Sequence, residues 1–168
     1  MPAEAFNDPD TFDAHQIHVH DAHGGQSVCK QGFRVIHAQP VHLTFISHIP
    51  RYQNEKYLNT HLLRWQPETI INLPEGIGFI PFRIPGSPEL MAGNVDELRR
   101  HRIVIWAKHG VMSRSDLTVK RAADRIEYGE TAARYEFLNL SVGEIGEGLS
   151  AEEMRNICKT FNIQQSIF

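Results

Sequence analysis

The chain has 168 residues, a length typical of one folded domain, and its 41% hydrophobic and 22% charged residues exclude an intrinsically disordered protein. Its formal net charge is -3 and its lysines and arginines are scattered, so nothing indicates a nucleic-acid partner. No run of about 18 apolar residues occurs, so we expect no membrane span and no membrane partner.

The amino-terminal part divides into two predicted pieces. Residues 1–12 carry Pro, Asn and Asp but few periodic apolar positions, so we expect an irregular arm there and one domain over residues 13–168. The segment DAHQIHVHDAH, which starts at Asp13, suits an amphipathic helix that stops at Gly24 and Gly25. The alternation in IHVH suits a strand equally well, and a strand would put His18 and His20 on one face, where they can bind a metal adventitiously.

The middle of the chain mixes strand and helix signals. FRVIHA, bounded by Gly32 and Pro40, predicts a buried strand, and VHLTFISHI predicts a helix with Pro40 in its first turn. NEKYLNTHLLRW is typical of a helix. TIINLPEGIGFIPF predicts two strand-like runs joined or interrupted by Pro-Glu-Gly.

The remaining elements also alternate between the two types. SPELMAGNVDELRRH predicts a helix, and RIVIWAKHG predicts a strand buried on both faces because its apolar residues are continuous. The longest helix is expected within Ser115–Gly143, capped by Ser115 or Asp116. LSAEEMRNICKTF predicts a last helix with a capping box. This mixture indicates an α/β or α+β fold.

The cysteines and histidines carry the remaining chemical signals. Cys29 and Cys158 lie far apart without a CxxC pattern, which indicates reduced structural thiols in a cytoplasmic protein. His37 and His109 each end a predicted strand and precede a turn. Imidazole is a common zinc ligand, although a strand-end histidine can also be a hydrogen-bonded turn residue. We expect His48, His61 and His101 to lie on the surface.

Several blocks resemble the class II aldolases, and among them the rhamnulose-1-phosphate aldolases most. These blocks are RVIHAQP, WQPETIINLPEGIGFIPFRIPGS and HRIVIWAKHGVM, and the similarity covers roughly residues 13–168. The resemblance implies an α/β/α domain with a mixed, mainly antiparallel sheet. It also implies a fourfold ring of identical subunits, which predicts a homotetramer with active sites between neighbouring subunits.

The resemblance implies a zinc site with one departure. The family holds zinc by an HxH pair at a strand end and by a third histidine in a later His-Gly turn, which match His37, Gln39 and His109. A glutamine amide oxygen is a weaker zinc ligand than imidazole, so we expect a weakened site in which Zn²⁺ can be absent. His42 is an alternative ligand, but it would project from the following helix.

Acid/base chemistry departs from the family as well. Glu68 matches a family glutamate near the active site and is the expected catalytic residue, with a capping carboxylate as the alternative. A second family glutamate matches Thr11, which cannot carry a proton as a carboxylate does. The nearby carboxylates have no spacing that singles one out; they are Glu4, Asp8, Asp10 and Asp13.

The expected reaction is the one that the resemblance implies. It is the retro-aldol cleavage of a ketose 1-phosphate such as L-rhamnulose 1-phosphate to dihydroxyacetone phosphate and L-lactaldehyde, as in rhamnose catabolism. We expect it to be impaired, because two groups differ and the family's amino-terminal phosphate-binding segment is expected to be missing. A non-catalytic, degenerate or split aldolase subunit is the second hypothesis, and a decarboxylase or epimerase with altered ligands is the third.

Overall fold

A computed structural model describes residues 34–143 and 145–168 of the chain. The predicted arm, the histidine-rich segment, Thr11 and Cys29 therefore lie outside the described residues, and so does the predicted boundary between residues 12 and 13. Within the described part, no helix is both long and apolar enough to cross a lipid bilayer.

Four strands form one mixed sheet in the order β1-β4-β3-β2. β1 pairs with β4 and β4 with β3 in antiparallel fashion, whereas β2 and β3 are parallel. The predicted mixed, mainly antiparallel sheet is therefore confirmed. The bounds are β1 Arg34–Ala38, β2 Gly78–Ile80, β3 Ile103–Trp106 and β4 Gly110–Ser115.

Helices cover both faces of this sheet. Their bounds are α1 Val41–Ile46, α2 Glu55–Leu62, α3 Pro67–Asn72, α4 Pro88–Arg100, α5 Val119–Ser141 and α6 Ala151–Thr160, with short 3-10 turns at Pro50–Gln53 and Leu63–Trp65. α4 packs on one face against β2, β3 and β4, while α1 and α5 pack on the other against β1, β3 and β4. The predicted α/β/α architecture is confirmed.

The alternation of side chains along β3 divides the core into two apolar clusters. Ile103 and Ile105 belong to the larger cluster, which includes residues of α1, α2 and α5, whereas Val104 and Trp106 pack with α4. All four residues of β3 are buried, as its continuous apolar sequence predicts. The turn that carries His109 therefore follows a fully buried strand.

Two predicted strands differ from the structure. TIIN belongs to helix α3, where Pro67 stands in the first turn and its preset φ favours a helix start. β1 has the predicted position but is half-exposed instead of buried. Within the described residues it borders the sheet and pairs with β4 only, so one edge of it faces outward.

Strand β4 was not predicted, because its polar residues do not read as a buried strand. Ser113 and Ser115 are fully buried, and Arg114 is 7% exposed. The Arg114 Nε donates to the Leu98 carbonyl at 2.5 Å, and the Ser113 hydroxyl donates to the Arg102 carbonyl at 3.2 Å. Tertiary hydrogen bonds thus satisfy polar groups whose burial would otherwise be unfavourable.

The helix ends follow elementary capping rules, with two corrections. The capping box of Ser150 and Glu153 is confirmed at the start of α6. Thr118 caps α5 by accepting from the Arg121 N–H, so the expected caps Ser115 and Asp116 are wrong. Pro40 is the N-cap residue of α1 and not part of its first turn.

Candidate metal centre

His37 and His109 lie side by side although 72 positions of sequence separate them. Their ring centroids are 5.1 Å apart, with an edge-to-face angle of 76°. His37 is near the end of β1, and His109 is in the three-residue turn between β3 and β4, whose last paired residues are Trp106 and Gly110. The two strand ends therefore bring together the pair that the sequence singled out.

The ring of His37 is fixed by a hydrogen bond across the sheet. Its Nδ1 lies 2.9 Å from the Val111 carbonyl oxygen, and since a carbonyl only accepts, Nδ1 carries the proton. In a neutral imidazole the other ring nitrogen, Nε2, then has a free lone pair. A ligating histidine commonly has its second nitrogen held in this way.

Trp106 forms the apolar wall of the pair. Its indole stacks on His37 with centroids 4.8 Å apart and an interplanar angle of 24°, and its centroid lies 5.2 Å from that of His109. The indole Nε1 donates to Asn94 Oδ1 at 2.8 Å, and Asn94 is fully buried in α4. Trp106 thus connects the histidine pair to the helix on that face.

Gly110 lets β1 and the turn approach each other closely. A Cβ at this position would lie 2.5 Å from the Ala38 carbonyl oxygen, 3.1 Å from the Gln39 Cγ and 3.2 Å from the His37 Cε1. The first distance is too short for any side chain. Gln39 and His37 therefore both lie close to Gly110, the residue that follows His109.

Helix α1 connects the end of β1, which it follows in the chain, to the turn after β3. Its first turn is held by Glu130 of α5, whose carboxylate accepts from the backbone N–H groups of His42 at 3.0 Å and Leu43 at 2.9 Å. At its other end, the buried Ser47 hydroxyl accepts from the Lys108 N–H at 2.8 Å. Lys108 has a φ of 63°, a strained conformation that this contact holds.

His42 is not available to replace Gln39 as a zinc ligand. Its Nδ1 lies 2.7 Å from Glu130 Oε1, and its ring packs edge-to-face on Phe137 with centroids 5.3 Å apart. Both contacts hold it against α5. The structure therefore gives the alternative ligand a structural role.

The donor set fits a zinc ion with a weak third position. Burial, followed by the charge of His37, lowers the pKa of His109, which keeps its imidazole neutral and able to bind a metal. The His109 Nδ1 is buried and has no hydrogen-bond partner in the described structure. His37 and Gln39 are exposed, so the pair is open to a ligand or to another protein surface.

Glu68 lies in the first turn of α3 and is exposed. Its backbone carbonyl accepts from Asn72 Nδ2 at 2.8 Å, within the same helix. Among the described residues, no hydrogen bond or ion pair joins its carboxylate to His37 or His109. Its catalytic role stays a prediction.

A second group able to hold a metal ion consists of Glu55, Glu97 and His101. The expectation that His101 lies on the surface is wrong, since it is 5% exposed. It follows the last residue of α4 and turns inward between the two carboxylates. A histidine after two arginines carries no sequence signal for such burial.

Sequence reasoning also missed Trp106, Asn94 and Ser47 as supports of the histidine pair. In the sequence Trp106 is one of several apolar residues of a strand, and nothing in that pattern distinguishes a core indole from one beside a site. The positive φ at Lys108, which depends on Ser47, has no signal in the sequence because glycine or asparagine usually occupies such positions.

The fold and the paired histidines define the class of domain, and comparison with known proteins agrees. The family model described as "Class II Aldolase and Adducin N-terminal domain" matches residues 32–137, more than half of the chain. The chain therefore belongs to this family, as the resemblance implied.

The proteins that the chain is similar to include several named as sugar-phosphate aldolases. Rhamnulose-1-phosphate aldolase of Bacteroides thetaiotaomicron is 29% identical over 128 residues, which are 76% of this chain and 47% of that protein. A sugar-phosphate aldolase structure from Thermotoga maritima is 32% identical with a TM-score of 0.59, covering 67% of this chain and 47% of that one. An L-fuculose 1-phosphate aldolase structure, 19% identical with a TM-score of 0.55 and covering 80% and 58%, shows the fold alone.

The match to the curated relatives spans about half of their length. The activity, substrate and assembly of the whole relatives are therefore matters for a proposal about this chain.

Proposed function

We propose that this chain is the metal-binding part of a class II aldolase that cleaves a ketose 1-phosphate, with L-rhamnulose 1-phosphate as the substrate of first choice. The convergence of His37 and His109, with centroids 5.1 Å apart, carries the proposal. Names of the relatives, which act on rhamnulose 1-phosphate and on sugar phosphates, support the substrate class.

In the proposed reaction the bond between C3 and C4 of the ketose breaks. The C4 hydroxyl loses its proton and becomes the aldehyde, while C3 keeps the bonding electrons and takes up a proton. Zinc, when bound, supplies Lewis acidity that stabilises negative charge on the substrate as this bond breaks. His37 and His109 are the proposed imidazole ligands and Gln39 the weak amide ligand.

The chain's own residues prepare this site. The Val111 carbonyl orients His37, the lowered pKa of His109 keeps it unprotonated near pH 7, and Trp106 excludes water from one side of both rings. Glu68 is the proposed proton carrier. A positioned acid or base is typically worth about 10²–10⁴-fold in rate, so activity should depend strongly on whether Glu68 reaches the substrate.

We also propose a cytoplasmic homotetramer with sites between subunits. The exposure of His37 and Gln39 supports a site that another subunit completes. Exposed apolar side chains at Phe82, Ile84 and Leu117 offer surface for such packing.

A second function, a non-catalytic or split aldolase subunit, is favoured by one observation. Gln39 stands where the family has histidine, beside an otherwise intact pair. Such a protein would keep the fold and its packing surfaces and bind little zinc.

A zinc assay combined with an aldolase assay tests the two functions. The full chain is loaded with zinc, its metal content is measured, and release of dihydroxyacetone phosphate from L-rhamnulose 1-phosphate is followed. We expect turnover that His109→Ala abolishes and that His48→Ala, on the exposed surface, leaves unchanged. A silent protein that takes up little zinc would support the non-catalytic subunit, and a zinc-loaded but silent protein would contradict the proposed reaction. Zinc uptake equal in the two variants would overturn the proposed centre.

A further inference from the structure

Glu55, Glu97 and His101 lie at the opposite end of β3 from the histidine pair. His101 comes two residues before Ile103, where β3 begins, whereas His109 follows the last strand residue, Trp106. A strand rises about 3.3 Å per residue, so the two groups are separated by roughly 10 Å or more of buried strand. One metal ion cannot serve both.

The three side chains enclose a small polar space. The His101 Nδ1 lies 3.2 Å from Glu97 Oε2, and its Nε2 lies 3.5 Å from Glu55 Oε1. One ligand atom from each residue lies within 4.8 Å of the others. Two ligands about 2.1 Å from a tetrahedral zinc ion are themselves about 3.4 Å apart, which matches the distance from His101 Nδ1 to Glu97 Oε2. One ion can bind only one of the two ring nitrogens, so the Glu55 side chain would have to rotate toward Nδ1 to complete the group.

Buried atoms in this group lack partners. His101 is 5% exposed, and neither its Nδ1 nor the Glu97 Oε2 has a hydrogen-bond partner in the described structure, despite the short distance between them. Leaving such atoms unsatisfied costs roughly 1–3 kcal/mol each, and more for a charged group. A bound cation would satisfy both.

The fold also leaves room at this point. Gly78 begins β2, and a Cβ there would lie 2.7 Å from the His101 Nδ1 and 3.1 Å from Glu97 Oε2. Beside the group is an open cavity of about 510 Å³, whose wall includes Glu55 and His101 and through which a hydrated ion can enter. Only a residue without a side chain at position 78 allows this arrangement.

We propose that Glu55, Glu97 and His101 bind one divalent cation, zinc or manganese(II), at a site separate from the histidine pair. Two carboxylates and one imidazole suit either ion, and carboxylate oxygens favour manganese(II) more than an all-histidine site does. The ion would link α2, the end of α4 and the start of β3. Because it binds the folded chain, it stabilises the fold whatever the reaction at the other end.

A proton on His101 is the alternative occupant. Burial disfavours the charged imidazole, but the neighbouring Glu55 and Glu97 carboxylates outweigh burial and raise the pKa of His101. An imidazolium would pair with both carboxylates without any metal. The experiment must therefore separate a bound ion from a bound proton.

Manganese(II) is the probe, because the electron paramagnetic resonance signal of the free ion measures binding directly. The full chain carrying His37→Ala is stripped with a chelator and titrated with manganese(II) at pH 7. We expect about one equivalent to bind and the midpoint of thermal unfolding to rise with it. His37→Ala removes the other centre, so failure here leaves the proposed aldolase site untouched.

Glu55→Gln in the same background identifies the ligands. Because Glu55 is half-exposed, the variant with glutamine at this position should fold normally. We expect it to lose manganese(II) affinity at least tenfold. Glu127→Gln, an exposed carboxylate in α5, is the matched control and should bind as tightly as its parent. Equal binding by the Glu55 and Glu127 variants would overturn the site, as would a parent that binds no stoichiometric ion and changes stability with pH alone.

Discussion

The Trp106 indole lies flat on the His37 imidazole, with ring centroids 4.8 Å apart, and its Nε1 is bonded to the buried Asn94 of helix α4. The position of one proposed ligand is therefore coupled to a helix on the face of the sheet that α4 covers. Because the indole also lies near His109, a change at the pair should be reported by this tryptophan.

Trp106→Phe should destabilise the fold. Phenylalanine keeps an aromatic ring beside His37 but leaves the buried Asn94 Oδ1 without its donor, and such a loss costs about 1–3 kcal/mol. The free energy of unfolding in urea measures the effect. If the cost stems from the hydrogen bond, the double variant Trp106→Phe, Asn94→Leu should be more stable than the sum of the two single losses predicts. Strictly additive losses of unfolding free energy would contradict this explanation.

Zinc binding at the pair should change the emission of Trp106. The chain has two tryptophans, so Trp65→Phe leaves Trp106 as the single indole fluorophore. We expect a zinc-dependent change in its emission that disappears with His109→Ala. The same change in the His109→Ala protein would mean that zinc acts somewhere other than at this pair.

Gln39→His should restore a strong third ligand. Imidazole is a better zinc ligand than an amide oxygen, so we expect affinity to rise at least about tenfold, or ~1.4 kcal/mol. Competition with a chromogenic chelator measures it. Gln164→His, which adds a histidine at an exposed position remote in sequence from the pair, should leave affinity unchanged, and no gain at position 39 would place the zinc elsewhere.

Gly110→Ala should separate the two strand ends. Its Cβ would overlap the Ala38 carbonyl oxygen at 2.5 Å, and overpacking of this kind costs typically about 1–3 kcal/mol. Zinc affinity should fall too, because Gln39 and His37 border the same spot. Gly93→Ala is the control substitution. Gly93 lies inside α4, where an added Cβ would be 3.6 Å from the Ile80 side chain, so the substitution should stabilise the protein by roughly 0.5–1 kcal/mol.

Tyr52 should make the protein less stable at alkaline pH. Burial, then the hydrogen bond to and charge of Glu136, raise the pKa of Tyr52 above its ordinary value of about 10. Above that pH the unfolded chain loses this proton and the folded chain keeps it, so the free energy of unfolding falls by up to about 1.4 kcal/mol per pH unit.

Unfolding of wild type and Tyr52→Phe between pH 9 and 11 measures this slope. The slope should be shallower in Tyr52→Phe and unchanged in Tyr135→Phe, whose side chain is 44% exposed. Tyrosinate absorbance should also show one folded-state tyrosine that resists ionisation. Parallel slopes in all three proteins would refute the assignment.

The sequence predicted the fold and the meeting of His37 with His109, because strand ends followed by turns have a strong local pattern and the family resemblance orders them. It did not predict β4, whose buried Ser113 and Arg114 are satisfied by carbonyls of distant residues. His101 was missed for the same reason: its burial depends on Glu55, which a different helix supplies. Metal binding by either group stays a prediction.

The half-exposed strand β1 carries His37 at the border of the described sheet, where β4 is its described neighbour. A strand in this position can unfold locally while β3 and the apolar clusters stay folded, because local opening takes less free energy than global unfolding. An ion bound by both imidazoles would therefore connect β1 to the turn between β3 and β4 and oppose this local unfolding. Amide protons of β1 should exchange with solvent more slowly in the zinc-loaded chain, while those of β3 keep their rate.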